Sequence, residues 1–168
     1  TVVYFPGSTL GNFESNHALR LLRQMRDIMG RHGGALIGID LQKDPRLLEA
    51  AYNDAAGVTA AFTLNMLAHF NRELGADFHP GQFRHYAHYN ALAGRIETYI
   101  VSTVEQKVHL DGETFSFAAD EAMLVEYSYK YSSQGFASLA AEAGLKVEHV
   151  WLDPAQYFSV QYLVPIQA

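Results

Sequence analysis

Hydrophobic and polar positions recur with two different periods along this chain, and the switch between them divides it. Val2-Val3-Tyr4-Phe5 is a short unbroken run of β-branched and aromatic residues, the pattern of a buried strand. After Pro6-Gly7-Ser8-Thr9 and Asn12, apolar residues recur at helical spacing through Leu21, Leu22, Met25, Ile28 and Met29 until Gly33-Gly34. The run from Ala35 to Leu41 predicts a second strand, so the first forty residues form a β-α-β unit of the kind that builds parallel sheets. Asp44-Pro45 opens a helix to about Tyr52, and another runs from Val58 to Leu74 through Ala61, Phe62, Met66 and Phe70, with Gly75 ending it.

The period then falls to two. Phe83 to Tyr89, Ile96 to Thr103, Val104 to Leu110, Thr114 to Phe117 and Leu124 to Tyr131 read as strands, with Asp111-Gly112 as a hairpin turn. Hairpins predict an antiparallel sheet in a separate lobe. Ser132 or Ser133 caps a further helix through Phe136, Leu139 and Ala140, closed by Gly144. Strands from Val147 to Leu152 and Phe158 to Val164 flank Asp153-Pro154.

Composition narrows the function classes. At 168 residues and 49% hydrophobic content the chain is long enough for one domain, or one domain and part of another, with a buried core. A formal charge of −6 offers no basic stripe to neutralise phosphates, so nucleic acid is not an expected partner. No apolar run reaches membrane-spanning length and no signal-peptide pattern opens the chain, which predicts a soluble, cytoplasmic protein. The absence of cysteine excludes disulfides, thiolate metal sites and cysteine nucleophiles in this chain. The sequence opens without methionine directly in a buried-type strand, which predicts either a fragment of a longer protein or a trimmed start. In the first case the free edge of that strand is a place for self-association.

Two segments carry candidate chemistry. The loop Phe5-Pro6-Gly7-Ser8-Thr9-Leu10-Gly11-Asn12 leaves the carboxyl end of a parallel strand, where open α/β sheets hold ligands. It reads equally as a plain turn with Asn12 starting a helix. On the strand Leu124 to Tyr131, Glu126, Ser128 and Lys130 share one face and the tyrosines the other. That polar face is either solvated or lines a pocket, where a carboxylate beside a hydroxyl would clamp a nitrogen heterocycle. His79, His85 and His88 do not suit a metal, since His85 and His88 face opposite sides of a strand. No Walker loop, nucleophile elbow or complete dinucleotide fingerprint occurs in these residues.

Together, Pro6-Gly7-Ser8-Thr9-Leu10-Gly11-Asn12-Phe13, Gly38-Ile39-Asp40-Leu41-Gln42-Lys43-Asp44, Ala51-Tyr52-Asn53-Asp54-Ala55-Ala56-Gly57 and Asn71-Arg72-Glu73-Leu74 resemble the histidine-specific methyltransferases of ergothioneine biosynthesis. Arg95-Ile96-Glu97, Glu126-Tyr127-Ser128-Tyr129-Lys130 and Phe158-Ser159-Val160 extend the likeness over nearly the whole chain. The resemblance implies an α/β fold, with part of a Rossmann-like methyltransferase sheet in 1–44 and 132–168. It places an α+β substrate-binding lobe with an antiparallel sheet in 45–131. It also implies S-adenosylmethionine as cofactor and histidine as the small-molecule substrate, methylated on its α-amino group. Asn12 and Tyr52 would hold the amino and carboxylate ends and serve catalysis, and Glu126 and Ser128 would contact the imidazole. Gly7 would lie beside the reacting centre, with Gly7 and Ser8 toward the cofactor. Thr98 stands where the family carries Met after Arg-Ile-Glu, and Tyr127 also departs from the family, so the fit around the ring is altered. That leaves methylation of another amino acid or aromatic amine as an alternative. The family's glycine-rich cofactor loop does not occur in this chain, which leaves a non-catalytic substrate-binding fragment as a second alternative.

Overall fold

A computed structural model describes residues 1–167, and they form two compact units. The first comprises residues 1–44, 90–95 and 127–167, and the second residues 45–89 and 96–126. The segments 90–95 and 127–131, expected in the second lobe, thus group with the first unit. Backbone bonds explain why: Lys130 donates to the Gly94 carbonyl, Tyr131 to Asp40 and Gln42 to Tyr131.

The first unit is an open sheet. Its first two strands, β1 (Val2–Phe5) and β2 (Gly34–Asp40), are parallel and joined by helix α1 (Ser15–Met29). This is the β-α-β unit that the sequence predicts. The closing hairpin, β8 (Leu145–Leu152) and β9 (Phe158–Pro165), completes the order β1-β2-β9-β8, with β9 antiparallel to both neighbours. Helix α4 (Ser133–Glu142) starts at Ser132, whose hydroxyl accepts the Gly135 N–H at 3.0 Å, a serine N-cap. One continuous core unites the layers: Leu22, Met25 and Met29 of α1, Ile37 and Ile39 of β2, Phe136 of α4, and Leu163 of β9. Ile28 does not join it and is 66% exposed. The buried stripe of α1 runs Ala18, Leu22, Met25, Met29, at intervals of four, three and four, and Ile28 falls just off it.

The second unit carries two helices, α2 (Pro45–Tyr52) and α3 (Val58–Leu74), and most of a sheet. That sheet is ordered β3 (Phe83–Asn90), β4 (Arg95–Ser102), β7 (Ala122–Tyr129). An antiparallel hairpin, β5 (Gln106–Leu110) and β6 (Glu113–Phe117), turns at Asp111-Gly112. Both turn residues have positive φ, 50° and 80°, as a two-residue hairpin requires. Two separate clusters fill this unit. Leu67, Phe78, Phe83, Ile100 and Val108 make one, and Leu48, Ala87 and Ile96 make the other, with Tyr52 packed against it. Phe62, expected in the apolar stripe of α3, is 78% exposed, because that helix buries Thr63 and Leu67 instead. Among the described residues no helix is long and apolar enough to cross a membrane.

Candidate functional site

The loop after β1 owes its shape to two glycines and a hydroxyl. Gly7 (φ 75°) and Ser8 (φ 57°) both adopt left-handed backbone, a conformation costly for a serine unless its surroundings hold it. Ser8 is held: its Oγ accepts the backbone N–H of Asp40 at 2.8 Å, which ties the turn to the end of β2. Gly11 is required by contact, since a β-carbon there would lie 2.7 Å from the carbonyl oxygen of Tyr129. That close approach sets Asn12, which is exposed, beside the chain end of β7 that carries Ser128. Gly7, Ser8, Asn12 and Ser128 therefore belong to one unit. Backbone at Gly7 is open to a ligand, because a β-carbon there would meet nothing nearer than Thr9 Oγ1 at 3.7 Å. This openness at the carboxyl end of a parallel strand fits a cofactor approaching the backbone.

The aromatic side of β7 is also occupied. The Arg95 guanidinium lies 3.6 Å from the centroid of the Tyr127 ring and donates to the Tyr129 hydroxyl. Tyr127 is thus a stacking partner for arginine.

Tyr52, Thr98 and Glu126 belong to the second unit. Tyr52 ends α2, and its carbonyl accepts a hydrogen bond from His85 Nε2 at 2.8 Å, so the histidine carries its proton on that nitrogen. The next two residues fix the motif in place. Asn53 donates to the Ala87 carbonyl (2.8 Å) and accepts the Ala87 N–H (3.1 Å), clamping the end of α2 to β3. The Asp54 carboxylate accepts the N–H groups of Thr59 (2.8 Å) and Val58 (2.9 Å) at the start of α3. These bonds, from Thr59 foremost, hold the Asp54 carboxyl below its ordinary value of 3.8. Sequence reasoning missed His85 and Asn53 as supports of Tyr52. The only available signal for His85 was strand alternation, which sets it on the face opposite His88.

Thr98 is 1% exposed, and its hydroxyl has no hydrogen-bond partner among the described residues. Strand alternation puts it on the same face of β4 as Ile96 and Ile100, which belong to the two different clusters. An unpaired hydroxyl therefore sits at the seam where this unit's core is interrupted. Glu126 lines an open cleft of about 370 Å³ with Phe62, Thr63, Met66, His69 and Val125. That volume lies in the range of small-ligand pockets, and a carboxylate against mostly apolar walls suits a planar ring bearing an N–H.

With this geometry in place, comparison with known proteins decides the family. A family described as histidine-specific, SAM-dependent methyltransferase matches residues 1–165. The chain belongs to it. Among its relatives, the histidine N-alpha-methyltransferase of Mycolicibacterium smegmatis is 42% identical over 97% of this chain and 51% of its own length. The L-tryptophan methyltransferase trpM of Psilocybe serbica is 31% identical over 92% of this chain and 44% of its own length. The chain thus spans about half the length of the curated relatives it matches. The CcbJ methyltransferase of Streptomyces caelestis shares the fold at 12% identity, with a TM-score of 0.53 over 99% of this chain and 57% of that structure. The open sheet of the first unit is accordingly part of a Rossmann-like methyltransferase fold.

Proposed function

We propose that this chain serves the transfer of a methyl group from S-adenosylmethionine to the α-amino group of histidine. The observation that carries the reading is the cleft in which Glu126 faces α3, a setting for an imidazole N–H against apolar walls. The relative named as a histidine N-alpha-methyltransferase supports the choice of substrate. The cofactor, when bound, supplies a methyl group on a sulfonium. The protein's residues have to present a neutral amine in line with it, and positioning of this kind can lower a barrier by roughly 7–11 kcal/mol. Asn12 and Tyr52 hold the amino and carboxylate ends in this reading, and Gly7 and Ser8 stand toward the cofactor. Ser128 and Glu126 contact the ring, with Thr98 bounding it.

A second reading, methylation of another amino acid or aromatic amine, is favoured by the unpaired Thr98 hydroxyl and by the relative named for tryptophan. The deciding assay incubates the protein with methyl-labelled S-adenosylmethionine and histidine or tryptophan, follows the product by mass, and measures binding of both amino acids by calorimetry. Methylated histidine formed in preference to methylated tryptophan supports the first reading, and the reverse supports the second. Histidine binding without transfer to either makes the chain a non-catalytic substrate-binding unit. The role of Glu126 is tested by Glu126→Leu, which is expected to weaken histidine far more than tryptophan; equal losses would remove that role.

Self-association at β1 stays part of the proposal. This strand ends the sheet order, and its Val2 and Tyr4 are exposed, so a second copy can pair along it. Sedimentation over a hundredfold range of concentration, unchanged throughout, would remove that part.

A further inference from the structure

Ser8 stands where backbone geometry favours a glycine. It follows Gly7 with φ 57° and ψ 20°, left-handed backbone that strains any residue carrying a β-carbon. Its hydroxyl offsets that strain by accepting the Asp40 N–H at 2.8 Å. The turn is seated on β2 at a second point, because a β-carbon at Gly38 would come within 3.1 Å of the Gly7 nitrogen. The anchor is itself tied down. The Asp40 carboxylate pairs with Lys43 and, at 2.8 Å, with Lys130, and the Asp40 carbonyl accepts the Tyr131 N–H at 3.1 Å. Lys43 is held in turn, its ammonium 5.2 Å from the centroid of the Tyr157 ring.

We infer that Ser8 is a positioning residue: its hydroxyl fixes the left-handed turn on the end of β2, and the turn meets the cofactor through the backbone at Gly7, not through the Ser8 side chain. This rests on the proposed placement of S-adenosylmethionine at this loop. An Oγ that accepts from the last residue of β2 is turned toward the sheet, whereas a β-carbon at Gly7 would meet nothing nearer than 3.7 Å. Two substitutions separate positioning from contact. Alanine loses the anchor and still carries a β-carbon in the left-handed region, while glycine loses the anchor and adopts that region without strain. A direct contact through Oγ would be lost equally in both.

The test measures S-adenosylmethionine binding by calorimetry on the wild-type chain, Ser8→Ala and Ser8→Gly, with melting temperatures alongside. Hydrogen exchange at the Asp40 N–H is followed without ligand. Ser8→Ala is expected to bind about tenfold more weakly, the size of the left-handed penalty, and Ser8→Gly no more than about threefold more weakly. Exchange at Asp40 should quicken in both variants, since each removes its acceptor. Equal losses of affinity in the two variants overturn the inference, as do full affinity in Ser8→Ala or unchanged exchange at Asp40. If Ser8→Ala melts too low to bind, Ser8→Gly decides alone: a loss confined to about threefold supports the inference and a larger one overturns it. A wild-type chain that binds no S-adenosylmethionine removes the proposed placement of the cofactor, and this inference with it.

Discussion

The two units are built on opposite plans. In the first, α1, β2, α4, β8 and β9 pour their apolar residues into one continuous core, and the charged groups Asp40 and Lys130 are bonded to each other and to their neighbours. In the second, the core is cut in two, and Thr98 leaves an unpaired hydroxyl on the strand that joins the halves. The undivided core gives rigidity to the Gly7–Asn12 loop and to Ser128. The divided one leaves room for a cleft beside Glu126.

The largest effect should come from opening the continuous core. Phe136 is fully buried and meets the Tyr131 ring edge-on at 5.8 Å between centroids. Phe136→Ala is expected to cost about 3–5 kcal/mol, from lost burial and from the cavity left behind. Chemical denaturation would read this as a lower midpoint, and a cost below about 1 kcal/mol would mean that this core is not continuous.

Next comes the clamp that supports Tyr52. Asn53→Ala removes both bonds to Ala87 and leaves that residue's backbone groups unpaired at a buried position, 2% exposed. The expected loss is about 1–3 kcal/mol. Histidine affinity should fall too, although residue 53 touches no ligand in the proposed complex. Affinity unchanged in a destabilised variant would show that Tyr52 keeps its place without the clamp.

A smaller change of opposite sign is expected at the seam. Thr98→Val swaps the unpaired hydroxyl for a methyl of similar shape, and should stabilise the ligand-free chain by about 1 kcal/mol. Loss of stability on this substitution would mean that the hydroxyl has a partner, and the seam would no longer distinguish the two units.

The contrast between the units also decides how much could be read from sequence. The extents of α2 and α3 follow from pattern and punctuation, Pro45 opening one helix and Gly75 ending the other. Their facing does not. Phe62 fits an apolar stripe, yet it is one position from the Thr63–Leu67 line that α3 buries, and it lines the cleft instead. Lys130 shows the same limit. Alternation extends β7 through it with Glu126 and Ser128, but the strand ends at Tyr129, and the lysine turns inward to a carboxylate ninety residues earlier in the chain. The turn at Gly7 and Ser8 was legible because short loops keep local signatures. The loop's supports Asp40 and Tyr129 were not, nor were His85 and Asn53, which hold Tyr52, because each acts through a contact distant in sequence.

The smallest effect concerns Asp54, and it turns on the sign of a titration. Hydrogen bonds from Thr59 and Val58 stabilise the ionised carboxylate at the start of α3, so its folded pKa lies below the ordinary 3.8. A group lowered in this way contributes stability that is fully present above 3.8 and lost as the pH falls through the folded value. Asp54→Ala should therefore lower the melting temperature near neutral pH, and the gap from the wild type should narrow only once the pH drops below about 3.8. The carboxylate is solvent-exposed, so screening keeps the shift small. It should appear most clearly as fraying of α3, read by hydrogen exchange at Thr59, whose N–H loses its acceptor. Asp54→Asn, which keeps an acceptor without the charge, should retain part of that protection at every pH and show no change of its own between pH 5 and pH 3. If the alanine and asparagine variants behave alike above pH 5, the charge adds nothing there, and α3 begins where it does through its packing on the divided core.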